Sequence, residues 1–312
     1  MFRMRVARRA LVADGVLELV LLPVDGERVP EWTPGAHVGL TLGEGLVRHY
    51  SLCGEPTDDH FRLAILREPE SRGGSVFVHD SLAEGDVLTV EAPRNHFPLV
   101  PDAPEYVFVA GGIGVTPLLP MIEEVERVGA TWRLEYGGRT RASMAYHEEL
   151  TTRYPSRVRV HPQDEVGLMP LAEILADRDR GVAVYCCGPG PLIEAVEKEC
   201  GAQGIGDLHF ERFSAQAPVA LDTDCEFEVV LAVSGQTVPV PVGCTILEAV
   251  EKAGVPADSS CRDGTCGTCE VGVLEGRPDH RDFILTDAEK ETGDTMLICI
   301  SRSCSDRLVL DL

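Results

Sequence analysis

Cys261-Arg262-Asp263-Gly264-Thr265-Cys266-Gly267-Thr268-Cys269 sets three cysteines in a C-x4-C-x2-C loop, and Cys299 follows after 29 further residues. Two irons sharing two sulfides need four thiolates, three from a tight loop and one from a returning segment, and this spacing is of the plant type. Gly264 and Gly267 let the backbone curl around such a cluster and offer N–H groups to its sulfurs. Zinc, the alternative, usually takes paired short spacings and often His. Residues 226–231 and 236–240 read as a hairpin and 245–250 as a helix, the start of a β-grasp ferredoxin-like domain expected over 225–312. Cys225, Cys244 and Cys304 match no ligand position and are expected to be ordinary packing residues.

The rest of the chain must form more than one further core, since 312 residues with 44% hydrophobic content suit two or three domains. No run of about 18 uncharged apolar residues occurs, and the start of the chain reads as neither a signal peptide nor a membrane anchor. With four of 11 cysteines in one metal-ligand pattern, a reducing cytoplasm is the expected location. The net charge of −23 argues against nucleic acid, whose phosphates need a basic surface. Residues 217–312 hold 18 Asp and Glu against 7 Lys and Arg, a face that is either simply solvated or steers a basic protein partner.

Residues 1–100 alternate short apolar strands with Gly and Pro turns, at 16–20, 38–42, 61–66 and 86–90, which predicts a small antiparallel β-barrel. Arg48-His49-Tyr50-Ser51 ends one strand and offers a cation, an aromatic face and a hydroxyl, as a flavin would use, or else is an ordinary strand end. Ser71-Arg72-Gly73-Gly74-Ser75 is a candidate phosphate nest. From 101 to 213 the rhythm becomes strand, glycine turn, helix, which predicts a parallel, doubly wound α/β domain. Ala110-Gly111-Gly112-Ile113-Gly114-Val115-Thr116-Pro117 is one such turn, with Thr116 as the expected N-cap and Pro117 as the first helical residue. Tyr185-Cys186-Cys187-Gly188-Pro189 is a second, and two glycine-rich strand ends in one parallel sheet form a crevice. Residues 214–224 read as a linker.

These motifs, with Pro93-Arg94-Asn95-His96-Phe97-Pro98-Leu99 and His209-Phe210-Glu211-Arg212-Phe213, occur in an order that resembles the phthalate dioxygenase reductase family over essentially the whole chain. The resemblance implies a flavin barrel, a nicotinamide domain and a C-terminal ferredoxin domain. It implies FMN rather than FAD, held by Arg48, His49 and the Gly73-Gly74-Ser75-Val76 loop, with Tyr50 on the ring, Ser51 near N5, and Ile65, Leu66 and Arg67 at its border. Thr116 would touch the flavin from the second domain, Gly112 would bind cofactor in the glycine turn a nucleotide approaches, and Cys187, Gly188 and Pro189 would shape the nicotinamide pocket under Phe213. Ser51, Cys187 and Phe213 are thus the candidate catalytic residues, and Cys261, Cys266, Cys269 and Cys299 the metal ligands. After the strand ending at Tyr136, Gly137-Gly138-Arg139-Thr140-Arg141 holds no acid to grip a ribose diol, and Arg139 or Arg141 could meet a 2′-phosphate, the pyrophosphate or water. NADH is the expected donor on the family resemblance alone, with NADPH the alternative.

The expected activity is hydride transfer from NAD(P)H to FMN, then single-electron transfer through the cluster. No oxygen-activating motif occurs among the nine dispersed His. The acceptor would be a separate terminal oxygenase, of the Rieske type or a cytochrome P450, docking transiently on a monomer near the ferredoxin domain. A non-catalytic relay subunit of a larger dehydrogenase complex is the alternative, though the cluster motif of those subunits has a much shorter gap before its last cysteine.

Overall fold

The computed structural model describes every residue except 25, 27, 70, 72, 177, 179, 180 and 214–223. Arg72 of the candidate nest and all of the expected linker but Asp224 therefore lie outside the described residues. The chain divides into two compact units, Met1–Phe213 and Ser214–Leu312.

The first unit opens with strands β1 (Phe2–Ala13), β2 (Val16–Pro23), β3 (His37–Thr41), β4 (Val47–Ser51) and β5 (Phe61–Leu66), then helix α1 (Gly74–Asp80) and β6 (Val87–Val90). These strands form one antiparallel sheet in the order β4-β3-β6-β1-β2-β5. A bridge between Leu52 and Leu63, with the N–H of Cys53 donating to the carbonyl of Arg62 at 2.9 Å, joins the two outer strands and closes the barrel. Closure leaves no free edge at that seam. Met4, Leu19, Val38, Leu40, Phe61 and Leu63 fill its interior.

The unit continues with β7 (Glu105–Gly111), α2 (Leu118–Arg127), β8 (Thr131–Gly138), α3 (His147–Arg153), β9 (Val158–Pro162), α4 (Gln163–Val166), α5 (Leu171–Leu175), β10 (Val182–Cys187), α6 (Gly190–Gln203) and β11 (Leu208–Glu211). The sheet is wholly parallel in the order β11-β10-β7-β8-β9, so the chain reverses direction across it between β7 and β10. Both faces are covered: Tyr106 and Phe108 enter one core cluster and Val107 and Val109 the other, which is why β7 reads as an unbroken apolar run. The first of these clusters also takes in Val16, Cys53 and Ala64 from the barrel, so the barrel and the parallel sheet share a core.

One buried polar knot reinforces that junction. Tyr146, at a left-handed φ of 61°, donates its hydroxyl to Glu18 Oε2 at 2.8 Å. The Arg62 guanidinium lies 5.4 Å over its ring, and Cys53 Sγ lies 3.9 Å from its hydroxyl. Burial, then the neighbouring Cys53 and Glu18, push the Tyr146 phenol far above its ordinary range. Tyr146→Phe should lower unfolding stability by ~1–3 kcal/mol, because a buried carboxylate loses a donor. Urea titration checks this, and an unchanged midpoint would count against the knot.

The second unit contains β12 (Phe227–Leu231), β13 (Thr237–Val240), α7 (Ile246–Lys252), β14 (Glu270–Glu275), β15 (Pro278–Asp279), α8 (Asp287–Thr292), β16 (Thr295–Leu297), β17 (Arg302–Ser303) and β18 (Arg307–Leu310). Its sheet order, β13-β12-β18-β14-β16, sets the first strand parallel to the last with α7 packed on the same core, a β-grasp arrangement. Thr245 caps α7 with Glu248, closing the sequence signal for a helix start. Cys244 is partly buried, but Cys225 and Cys304 are exposed, so the expectation of packing roles for those two is corrected. Among the described residues no helix is long and apolar enough to cross a membrane.

Candidate functional site

In the second unit the ligand loop is bent by Arg262, Gly264 and Gly267, all with positive φ. A Cβ on Gly264 would fall 2.8 Å from Ile300 Cγ2 and 3.3 Å from Asp282 Cα, so the loop packs tightly on the turn after β16 that carries Cys299. Cys266, Cys269 and Cys299 are buried and Cys261 partly so. Their thiols meet in pairs, Cys261 with Cys266 and with Cys299, and Cys269 with Cys299. Hydrogen bonds from Cys266 and Cys299, and then from the N–H groups of Asp263 and Thr265, outweigh burial and hold the Cys261 thiol well below its ordinary range. Paired thiols beside inward N–H donors suit a binuclear cluster, in which each iron takes two sulfur ligands from the protein.

In the first unit, a Cβ on Gly74 would lie 2.5 Å from Arg48 Cγ, so the glycine loop and the Arg48 side chain are brought together. Gly73 takes a left-handed φ of 93° just before α1, a conformation that favours glycine. Ser75 Oγ accepts from the Glu68 N–H and donates to Ser71 Oγ at 3.0 Å, while Val76 is exposed. Tyr50 is half-buried against the barrel core, and burial pushes its phenol up to about 12, opposed by Arg48. His49 stacks on His37 at 5.3 Å and lies 3.8 Å from Glu91, away from the glycine loop. Ile65 is buried at the end of β5, and Leu66 reaches the core of the parallel sheet. Arg67 is spent on a two-point pair with Asp80.

Gly112, at φ 56°, begins a 3-10 turn over Gly112–Val115, and Thr116 and Pro117 already have helical angles. Thr116 is therefore not the N-cap: its hydroxyl donates back to the Ile113 carbonyl at 2.9 Å, and Pro117 holds the cap position. The two glycine turns meet backbone to backbone. A Cβ on Gly114 would lie 2.2 Å from the Cys187 carbonyl oxygen, and one on Gly188 would lie 3.0 Å from Gly111 Cα. Pro189 begins α6 beside that contact. This is the β7/β10 switch point, where open parallel sheets bind nucleotides.

At the same place the barrel meets β11. Ser51, buried at the end of β4, points its hydroxyl at Glu211 Oε2, 3.4 Å away. Although Glu211 retains some exposed surface, its carboxyl lies deep enough that burial pushes it up to about 8, opposed by Ser51. Cys187 is fully buried next to it, and burial followed by the Glu211 charge drives the thiol well above its ordinary range. Cys187 is thus a neutral, space-filling thiol and no nucleophile. Phe213 follows two residues after Glu211 and is 44% exposed. Glu211 is the member of this cluster that the motif reading left without a role, since an acid at a strand end looks like a solvated residue.

Arg141 forms a two-point pair with Glu165 at 2.6 and 3.0 Å, whereas Arg139 is exposed and has no ion pair among the described residues.

The profile of the 2Fe-2S iron-sulfur cluster binding domain matches residues 229–304. Phenoxybenzoate dioxygenase subunit beta of Ectopseudomonas oleovorans is 42% identical over 311 residues, covering 99% of this chain and 97% of that protein. An intact type IV self-sufficient cytochrome P450 monooxygenase matches all of this chain with a TM-score of 0.93 and 42% identity, but this chain spans only 41% of it. The structure of phthalate dioxygenase reductase, described as modular for electron transfer from pyridine nucleotides to [2Fe-2S], matches with a TM-score of 0.73 and 34% identity, covering 99% of this chain and 97% of that one. With a flavin-type barrel, a parallel nucleotide-binding sheet and a four-cysteine β-grasp domain in one chain, the protein belongs to the phthalate dioxygenase reductase family, the reductase components of oxygenase systems.

Proposed function

We propose that the chain takes hydride from NAD(P)H onto FMN and passes single electrons through a [2Fe–2S] cluster to a separate terminal oxygenase. The observation that carries this reading is the meeting of Ser51, Cys187 and Glu211, from three strands of two sheets, at the switch point of the parallel sheet. The bound flavin supplies the chemistry of splitting a hydride pair into single electrons, and the cluster supplies the one-electron exit.

The chain's own residues hold and orient. Arg48 and the 73–76 loop grip the flavin phosphate, with His49 supporting that strand from its other face. Tyr50 lines the ring, and Ile65, Leu66 and Arg67 border it. Gly112 and Thr116 close the opposite side, while Phe213 covers the nicotinamide-facing side until coenzyme arrives. Cys187, Gly188 and Pro189 form a dry, close-fitting floor for the nicotinamide, and Arg139 and Arg141 serve its adenosine end. Cys261, Cys266, Cys269 and Cys299 hold the cluster. The corresponding domains are 1–100, 101–213 and 225–312, joined by 214–224.

The acidic surface of the last domain suits a basic docking face, and we assign the partner to the Rieske-type oxygenases or the P450s, meeting a monomeric reductase transiently. FMN is favoured because the barrel segment shows no adenine-binding insertion. Heat-released flavin identified by chromatography, with anaerobic stopped-flow reduction by NADH and NADPH, tests the reading. A protein that binds neither flavin nor iron after anaerobic reconstitution would refute it.

A further inference from the structure

A charge fixed beside a metal cluster moves its potential, and the second unit buries one acid against its ligand loop. The Asp282 side chain is wholly buried. Gly264, between Cys261 and Cys266, packs directly on it: a Cβ there would lie 3.3 Å from Asp282 Cα, and the Phe283 N–H donates to the Gly264 carbonyl at 3.1 Å. On the other side, the Arg281 N–H donates to Ser301 Oγ at 3.2 Å, two residues beyond Cys299. Residues 281–283 therefore bridge the two parts of the chain that carry the four cysteines.

The needs of the fold account for only half of this acid. Asp282 Oδ2 accepts the N–H of Ile284 at 3.2 Å and that of Leu285 at 2.8 Å, a turn that an asparagine would serve equally well. Oδ1 is buried and has no hydrogen-bond partner among the described residues, a cost that a purely structural cap would not carry. Two basic groups face the carboxylate. His280 Nδ1 lies 3.7 Å from Oδ1, and the Lys290 ammonium on α8 lies 3.9 Å from Oδ2 while donating to the Asp282 carbonyl at 2.9 Å. Lys290 is 28% exposed, so the acid is the more deeply desolvated member of that pair, and its charge is the less screened.

We infer that the buried Asp282 carboxylate poises the reduction potential of the cluster and that Lys290 trims its effect. The inference rests on the reductase reading above and adds to it what sets the driving force at the exit. The Asp263 N–H, directed at Cys261 Sγ at 3.3 Å, favours an added electron, and an anion held against the same loop opposes it. A cluster poised lower releases its electron to the acceptor more readily.

Anaerobic redox titration of the whole protein, reconstituted with flavin and cluster and followed by the paramagnetic resonance of the reduced cluster, tests this. Asp282→Asn keeps an acceptor for both N–H groups and removes only the charge. It should make reduction of the cluster about 10-fold easier, a midpoint ~59 mV higher for one electron. Lys290→Gln should move the midpoint the opposite way, and by less. Opposite signs are the signature of charge, since loosening of the loop would not reverse with the sign of the group removed. An unchanged or lower midpoint in Asp282→Asn with the resonance retained, or shifts of the same sign in both variants, overturns the inference and leaves the reductase reading intact. If Asp282→Asn fails to hold the cluster, Lys290→Gln decides, and a midpoint that does not fall overturns the inference. A wild-type protein that takes up no cluster removes the inference and the reading together.

Discussion

Cys261→Ser should cut electron delivery to a one-electron acceptor such as cytochrome c by about 100-fold or more, beyond the usual loss when a mere supporting contact of a metal site is removed. Cys261 sits at the centre of the thiol arrangement, touching both Cys266 and Cys299, and its sulfur accepts the N–H of Asp263 at 3.3 Å. Serine places a harder, shorter and far less acidic donor there, and the neighbouring N–H groups lose the sulfur toward which the loop is curled. Bleaching of the flavin by coenzyme depends on residues of the first unit and should persist, so the variant separates entry from exit. Iron content and visible absorbance report cluster loss directly. Near wild-type cytochrome c reduction in a variant lacking the cluster would show that electrons leave by another route.

The second large effect is expected at Glu211. As hydride leaves, the nicotinamide becomes a cation, and a carboxylate beside Cys187 stabilises that charge only when it is ionised. With the carboxyl pushed up to about 8 by burial, wild-type flavin reduction should rise with pH through about 8, and Glu211→Gln should flatten the profile and lose ~10–100-fold above it. The stability effect runs the other way. A group whose pKa is raised on folding contributes stability that is full below its unfolded value near 4.5 and is lost as pH climbs to about 8. Glu211→Gln escapes that loss while its amide can still meet Ser51, so the variant should be slower yet more resistant to denaturant at alkaline pH. A flat wild-type profile, or a variant both slower and less stable at high pH, would remove Glu211 from this role.

The parts of the molecule that declare themselves in sequence are those set by local spacing. The ligand loop, the glycine turns at Gly111 and Gly188 and the continuous apolar runs of β7 and β10 each carry their geometry within about ten residues. The longest strand, Phe2–Ala13, is far less visible: a register shift between Val6 and Arg8 changes which residues face inward, and the run of arginines breaks the alternation. Thr116 misled because a hydroxyl before Pro reads as a cap, whereas the glycines ahead of it let the chain wind directly into α2. Glu211 stayed hidden for a plain reason. Its surroundings depend on a partner 160 residues away, Ser51, which only the assembled sheets bring near.

The backbone contact between the Gly111–Gly114 turn and the Cys187–Gly188 strand end has an evolutionary corollary. Where a single methyl would collide with main-chain atoms, substitution has no small steps to offer, so this crossing is frozen against gradual change. The corner at Arg139, Arg141 and Glu165 is built from exposed side chains that can be exchanged singly. A lineage with this fold can therefore drift at the exposed loop after β8 while the crossing of the two glycine-rich strand ends stays fixed, and a protein engineer meets the same asymmetry.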